Sequence, residues 1–243
     1  MYIDQGLPVD SIYLDFSKAF DRVPHARLES KLKSHGIGGS VSDWITEWLT
    51  DRVQRVVVNG KTSEWSPVRS GVPQGSILGP VLFVIFINDL DEGVRNHILK
   101  FADDTKLFSQ VSTNEDAEKL QKDLSILNEW SNEWSMLFNA DKCKCIHYGY
   151  NNKQYDYFMG KECIETTHEE RDLGVIITET LDITKQCVRA ANKANAMLGM
   201  INRAFKYKNK EVVLKLYKSL VRPQLDYYIQ AWCPFKQKDI DLL

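Results

Sequence analysis

Three aspartates occupy positions where a carboxylate is costly unless something neutralises it. Asp15 ends a short apolar segment, residues 11–16, whose alternating pattern predicts a β-strand. Asp103 and Asp104 are adjacent at the predicted tip of a hairpin over residues 97–110. Adjacent carboxylates repel each other unless a cation or hydrogen-bond donors are near, and Mg²⁺ prefers such oxygen ligands. Because two ions roughly 3.5–4 Å apart stabilise the attacking and leaving oxygens of phosphoryl transfer, the pattern indicates metal-assisted phosphoryl transfer; the alternative is an ordinary polar turn.

Two further local features could contact a ligand. Residues 70–76 (SGVPQGS) combine two glycines and a proline, and Gln74 offers an amide donor and acceptor. The alternative is a loop that only enters the next helix. Phe20 follows Asp15 by five residues, and by itself it favours an ordinary core aromatic.

The surrounding pattern predicts the elements that position these residues. Asn59-Gly60 suits the type I′ turn of a hairpin over residues 54–65. The nearly all-apolar helix at 81–90 is expected to be buried. Further helices are predicted at 24–36, 41–50 and 114–135, and further strands at 143–148, 154–158 and 173–177.

The character of the chain changes near Thr178, from mixed α/β to basic and helical. Between Ile183 and Arg222 there are ten basic residues and one acid, whereas residues 89–141 hold twelve acids and five bases. Helices are predicted at 184–205 and 210–220. The basic segment favours a polyanion partner, with a merely solvated helix face as the alternative.

Composition limits the class of protein. The 243 residues are 43% hydrophobic and 26% charged with a net charge of −2, which is typical of a globular protein and excludes collagen-like or disordered chains. The longest apolar run, residues 81–87, is too short to span a bilayer, and the N-terminus lacks a signal-peptide pattern. Five cysteines without C-x-x-C spacing argue against a disulfide scaffold or a structural zinc site. These features predict a soluble intracellular protein, in the nucleus or the cytoplasm, with no membrane partner.

Five short segments, in order, resemble the motifs of reverse transcriptases. The amino-acid sequence around them resembles that of non-LTR (LINE-type) retrotransposon polymerases of the jockey-like and chicken-repeat-like clades. The segments that carry this resemblance include WLTDR, QRVVVNG, FADDTKL and YKSLVRPQLDY. The segments resembling motifs A to E are residues 12–21 (IYLDFSKAFD), 70–78 (SGVPQGSIL), 101–104 (FADD), 139–143 (NADKC) and 171–175 (RDLGV).

The resemblance implies a role for each matching residue. Asp15, Asp103 and Asp104 match the catalytic aspartates that hold two Mg²⁺ ions, with Mn²⁺ as an alternative. Lys142 matches a motif D lysine that approaches the nucleotide phosphates as a catalytic proton donor. The residues that match the nucleotide site are Phe16, Phe20, Gln74 and Gly75, with Phe20 excluding the ribose 2′-hydroxyl. The residues expected on the nucleic-acid backbone are Lys185, Arg189 and Lys193.

The resemblance also implies an α+β fold: a reverse transcriptase palm, an antiparallel sheet with helices on one face, at 1–178 and a partial helical basic thumb at 179–243. The palm would retain insertions on its fingers side. The implied activity is RNA-directed DNA polymerisation, with an RNA template, a DNA primer and dNTPs as partners. Only fourteen residues precede Asp15, so the chain is expected to be N-terminally truncated, without the fingers and endonuclease of a longer element. Two alternatives are an inactive nucleic-acid-binding remnant and a two-metal nuclease; the motif B loop and Phe20 argue against the nuclease.

Overall fold

The computed structural model describes residues 2–207 and 209–243, which form two compact units that divide between Thr166 and Thr167. This division lies twelve residues before the boundary predicted from the sequence. The reason is that residues 169–178 form a hairpin within the second unit, where the amide of Ile176 donates to the side chain of Gln186 over 3.1 Å. Within the described residues, no helix is long and apolar enough to cross a membrane.

The first unit is built on a five-stranded sheet, to which helices and short two-stranded ribbons are added. Its helices are α1 (Ala19–Arg22), α2 (His25–Ser34), α3 (Gly39–Leu49), α4 (Leu78–Phe86) and α5 (Asn114–Glu133). Its strands are β1 (Val9–Leu14), β2 (Val53–Gln54), β3 (Val57–Val58), β4 (Lys61–Thr62), β5 (Ser66–Pro67), β6 (His97–Phe101), β7 (Asp104–Gln110), β8 (Lys144–Tyr148), β9 (Phe158–Met159), β10 (Glu162–Cys163) and β11 (Glu165–Thr166).

The main sheet has the order β11-β8-β1-β7-β6, which puts the Asp15 strand in the centre. The pairs β1–β7, β1–β8 and β6–β7 are antiparallel, as predicted, whereas β11 pairs with β8 in parallel. Ile12 and Leu14 of β1 and Leu107 of β7 share one buried core with residues of α2, α4 and α5. The apolar face of the sheet is therefore covered by helices, and this core fixes the strands that lead to the aspartates.

The expectation of a fully buried helix at 81–90 is wrong for one side of α4. Leu82, Phe83 and Phe86 are buried, but Val81 and Val84 are exposed. Three apolar side chains at this spacing already fill the face that meets the core, so the remaining valines point outward. The helix ends at Phe86, and residues 87–93 continue as turns.

In the described part of the second unit there are one hairpin and five helices. The strands are β12 (Glu169–Asp172) and β13 (Val175–Thr178), and the helices are α6 (Thr184–Ala204), α7 (Lys210–Leu216), α8 (Arg222–Asp226), α9 (Ile229–Trp232) and α10 (Gln237–Ile240). Between α7 and α8 the chain makes a π-helical turn, Tyr217–Val221. Trp232, Cys187 and Val175 form a small buried core of this unit.

Candidate active site

Asp15 and Asp104 lie at the same end of two neighbouring strands. The register of β1 with β7 pairs Leu14 with Thr105, so extending it by one residue places Asp15 opposite Asp104. Tyr13 and Lys106 are also paired, and since side chains alternate along a strand, Asp15 and Asp104 belong to the same sheet face as this pair. The strand order and register thus put Asp15 opposite Asp104 at one end of the sheet, and the convergence of the three carboxylates on one pocket stays a prediction.

The β6–β7 turn contains only two residues, Ala102 and Asp103. Phe101 pairs with Asp104 across the turn, so Asp104 is the first residue of β7 and only Asp103 lies at the tip. Ala102 adopts a left-handed conformation, with φ 51°, which a tight two-residue hairpin requires. The turn thus places two consecutive carboxylates beside the end of the central strand.

Lys142 is brought to Asp15 by a second stretch of chain that runs along motif A. The amide of Asn139 donates to the carbonyl of Asp15 over 2.8 Å, and that of Lys142 donates to the carbonyl of Asn139 over 3.0 Å. The resulting turn brings Lys142 Nζ within 3.5 Å of Asp15 Oδ2, with the two side chains 62% and 43% exposed. The lysine matched to motif D is therefore next to the first predicted metal ligand and remains accessible.

The three aspartates fit Mg²⁺ in the type of ligand atom that they offer. Carboxylate oxygens are the ligands that Mg²⁺ prefers, and it is usually held by one or two of them together with substrate phosphates. Within residues 2–207 and 209–243 no group of three or more acidic, histidine or cysteine side chains is already gathered around one point. In this structure the Asp15 carboxylate is instead neutralised by Lys142.

The motif B loop is fastened directly to motif A. The amide of Val72 donates to the carbonyl of Phe20 over 2.7 Å, and the amide of Gly71 donates to the carbonyl of Val23 over 2.8 Å. Gly71 has φ +93°, and a Cβ atom there would lie 2.7 Å from the Cα of Asp21. Only glycine permits this approach, so the two motifs form one rigid substructure.

His25 also holds this junction, and the sequence did not reveal it. Its Nε2 lies 2.8 Å from the carbonyl oxygen of Gly71. The two residues are 46 positions apart, and a single histidine at a helix start carries no signal of such a partner. The geometry makes His25 a positioning residue for the motif B loop.

The residues matched to the nucleotide site differ in accessibility. Gln74 and Gly75 are exposed. Phe20 is half-buried and stacks on Phe83 with 4.7 Å between ring centroids, so it contributes to the core and retains an open edge. The ring of Phe16 is buried and stacks on Phe138 with 4.4 Å between ring centroids, so this side chain packs in the core under motif A, and its burial does not fit the expected nucleotide contact.

Cys143 is buried close to Asp15. Burial raises the pKa of the Cys143 thiol to about 11, and the nearby Asp15 carboxylate acts in the same direction although a hydrogen bond with the Asp15 backbone opposes it. A thiol with this pKa is protonated at neutral pH. Cys143 is therefore a packing residue and not a nucleophile.

The opposite end of β1 is fixed by a buried polar network that sequence reasoning also missed. The Asp10 carboxylate is buried and accepts from Tyr157 Oη over 2.6 Å and from Asn152 Nδ2 over 2.7 Å, and it lies 2.7 Å from His147 Nδ1. Burial is the main cause that raises the pKa of the Tyr157 hydroxyl, which therefore stays a donor. The position of Asp10 in an apolar strand was the one signal of this network in the sequence, because a buried carboxylate needs hydrogen-bond partners.

The second unit contains a groove lined by three cations. Arg171, Arg189 and Lys193 line a cavity of about 320 Å³ together with Tyr227, and every charged residue along it is basic. The groove begins at the motif E turn, where Leu173 and Gly174 have φ of 44° and 87°. Lys185 is on the same helix but forms an ion pair with Glu169. Lys208, one of the ten bases counted in this segment, lies outside the described residues.

Comparisons with known proteins agree with this geometry. Residues 11–201 match the family model described as reverse transcriptase (RNA-dependent DNA polymerase). The chain is 29% identical over 237 residues to the RNA-directed DNA polymerase from mobile element jockey of Drosophila funebris, covering 91% of this chain and 26% of that protein. It is 23% identical to the probable RNA-directed DNA polymerase from transposon X-element of Drosophila melanogaster, with 92% and 26% covered.

The chain thus spans about a quarter of the length of these curated relatives. Among solved structures, telomerase from Candida tropicalis in complex with a fragment of telomeric RNA aligns with a TM-score of 0.54 at 13% identity, covering 92% of this chain and 39% of that chain. This likeness supports the predicted α+β palm-and-thumb fold. The family model covers most of the chain and its range includes the paired aspartate strands, the motif B loop and the motif E hairpin, so the chain belongs to the reverse transcriptase family, as a domain related to those of non-LTR retrotransposons.

Proposed function

We propose that this chain performs RNA-directed DNA polymerisation, the transfer of a deoxynucleotide from a dNTP to a primer 3′-hydroxyl on an RNA template. The observation that carries the proposal is the placement of Asp15 opposite Asp104, with Lys142 on the Asp15 carboxylate. Two acids at the ends of neighbouring strands, together with an exposed lysine, suit a reaction in which negative charge develops on phosphate oxygens. The RNA template and the dNTPs place this reaction inside the cell, in the nucleus or the cytoplasm.

In the proposed reaction the primer O3′ forms a bond to the α-phosphorus, and the bond from that phosphorus to the bridging oxygen of the β-phosphate breaks. Mg²⁺ ions, or Mn²⁺ in their place, supply charge stabilisation of the attacking and leaving oxygens when bound. Asp15, Asp103 and Asp104 would hold them. Lys142 donates a proton to the departing pyrophosphate, and the 3′-hydroxyl proton leaves to solvent.

The selection of the sugar rests on Phe20 and the motif B loop. Phe20 is held by Phe83 on one face and by the hydrogen bond between its carbonyl and Val72. Because these contacts fix the position of the ring, it is suited to exclude a 2′-hydroxyl, the group that distinguishes RNA from DNA building blocks. Gln74 and Gly75 follow Val72 in the motif B loop and are exposed, so both are available to contact the incoming nucleotide.

The groove of the second unit is proposed to hold the backbone of the primer–template duplex. Arg189 and Lys193 line it, whereas Lys185 is already paired with Glu169. Each phosphate contact contributes a slope of about −0.9 to the dependence of log affinity on log salt for B-form duplex. We therefore expect the double variant Arg189→Ala/Lys193→Ala to flatten that slope by roughly 1.8, and Lys185→Ala to change it less. Equal slopes in all three proteins would contradict this part of the proposal.

Primer extension tests the catalytic proposal. The full chain is incubated with an oligo(dT) primer on poly(rA), dTTP and Mg²⁺, and extended products are counted. Asp103→Asn is expected to abolish extension, while Asp43→Asn, which removes an exposed acid of α3, retains it. Extension by Asp103→Asn at the wild-type rate would refute the assigned role. Wild-type protein that binds the duplex without extending it would support nucleic-acid binding without catalysis.

A further inference from the structure

A two-stranded ribbon between motifs A and B projects from the first unit. We call residues 52–69 the ribbon arm. It consists of the β2–β5 and β3–β4 pairs, joined by a hydrogen bond from the amide of Ser63 to the carbonyl of Val56, and it is closed at its base by the amide of Val68, which donates to the carbonyl of Arg52 over 2.8 Å. Asn59 and Gly60 both have positive φ, as the predicted type I′ turn requires.

The arm exposes both rings and cations. Trp65 is 58% exposed, and the guanidinium of Arg55 lies over its ring, with Cζ 4.6 Å from the centroid. At the base, Arg52 lies over Trp48 with Cζ 5.8 Å from that centroid. A stacked guanidinium keeps its N–H donors at the edge of the ring plane, available to an oxygen anion.

The charge of the arm points to an anionic ligand. Residues 52–69 include four basic residues and a single acid, Glu64, in a chain whose net charge is −2. The exposed valines of the arm add apolar surface but no hydrogen-bonding pattern. An exposed aromatic ring can stack on a nucleic-acid base, and the adjacent arginine can bind the phosphate of the same nucleotide. Proteins that bind single strands without sequence preference combine these two contacts.

We propose that the ribbon arm is a platform for single-stranded nucleic acid, with a base stacked on Trp65 and its phosphate on Arg55. Under the proposed function, on which this identification rests, the strand is unpaired RNA template. The arm continues into Ser70, whose hydroxyl donates to the carbonyl of Asp21 over 2.9 Å, and then into Gly71 on motif A. A strand held by the arm is thereby tied to the same rigid substructure as the motif A aspartate.

Binding measured without polymerisation tests this inference. Fluorescence anisotropy of a labelled 20-nucleotide oligo(U) RNA is recorded with the full chain in EDTA and without dNTPs, alongside single-stranded oligo(dT) and a blunt RNA–DNA duplex. Trp65→Ala and Arg55→Ala are each expected to weaken single-strand binding at least about fivefold and to leave duplex binding within twofold. Trp44→Ala is the matched control, because Trp44 is similarly exposed but no described lysine or arginine lies over its ring.

Each outcome has a definite reading. Wild-type affinity of Trp65→Ala for both single strands overturns the inference, as does an equal loss on single strand and duplex. Unchanged RNA affinity in all variants, combined with self-association of the wild type that Val57→Thr abolishes in sedimentation, assigns the arm to a protein contact instead. Loss of oligo(dT) binding alone would exclude the RNA template. Because the assay omits dNTPs and metal, a chain that fails to polymerise but binds RNA through Trp65 removes the proposed function and keeps the platform.

Discussion

Replacement of Gly71 by alanine tests the junction between motifs A and B. The new Cβ would lie 2.7 Å from both the Cα of Asp21 and the carbonyl oxygen of Phe20, atoms of the backbone that cannot rotate away. Overpacking of this kind costs roughly 1–3 kcal/mol, and an L side chain at φ +93° adds roughly 1–2 kcal/mol. We therefore expect Gly71→Ala to lower the free energy of unfolding by about 2–5 kcal/mol.

Gly75→Ala is the matched control. Its φ is +84°, so the conformational cost is similar, but no heavy atom lies within 4 Å of the added Cβ. The two variants should differ by about 2 kcal/mol, which corresponds to a gap of roughly 4–8 °C in Tm for a protein of this size. Circular dichroism during thermal unfolding measures both values. Equal losses in the two variants would refute the close packing of the loop on motif A.

Three other predictions concern thiol reactivity, acid stability and sugar choice. Iodoacetamide at pH 8 should modify the exposed Cys163 and spare Cys143, because burial raises the pKa of Cys143 to about 11; rapid modification of Cys143 in folded protein, read by peptide mass spectrometry, would contradict its burial. Lys236 and the Thr184 backbone amide, which donate to the Asp182 carboxylate, hold the pKa of Asp182 well below its usual range. The stability that this interaction provides is present above pH 4 and lost as pH falls below it, so Asp182→Asn should reduce the acid sensitivity of urea unfolding, and identical pH profiles would refute the interaction. Phe20→Val should increase rNTP incorporation relative to dNTP incorporation in primer extension, and an unchanged ratio would leave Phe20 as a core residue only.

Local patterns predicted the elements well where one physical signal dominates. The alternating arms around Asp103 gave the β6–β7 hairpin, and Asn59-Gly60 gave the type I′ turn. The helical spacing from Ala117 to Trp130 gave the buried face of α5. Each of these signals depends on neighbours within a few residues, so the sequence contains it in full.

The sequence patterns failed where the outcome depends on what covers a surface. The apolar run of α4 indicates a strong preference for burial but does not show that only one side meets the core, so the exposure of Val81 and Val84 was not foreseen. The boundary at Thr178 was placed on a change in charge, whereas the hairpin before it packs on α6 through Ile176. Phe16 was assigned by position in a motif, although its strand alternation puts the ring on the core side with Ile12.

The candidate site was predictable in its residues but not in its supports. Asp15 and the Asp103-Asp104 pair were identified because carboxylates are unusual at the ends of apolar strands. The partners that hold the surrounding elements, such as His25 on Gly71 and Asn139 on Asp15, bond to main-chain carbonyl oxygens. Because every residue has a main-chain carbonyl, the residue type of the acceptor does not indicate such a bond. A single sequence therefore gives almost no sign of these contacts.

The central claim is that two strand ends, far apart in the chain, form one site for divalent ions. A titration of the full chain with Mn²⁺ in the presence of dTTP tests it directly. Electron paramagnetic resonance measures the free ion at each point of the titration. Asp15→Asn and Asp103→Asn should each weaken binding at least about tenfold, a loss of roughly 1.4 kcal/mol, and the double variant should lose less than the sum because both residues serve the same ions. Asp43→Asn should bind like the wild type. Wild-type Mn²⁺ affinity in Asp15→Asn and Asp103→Asn, or strictly additive losses in the double variant, would contradict a shared site.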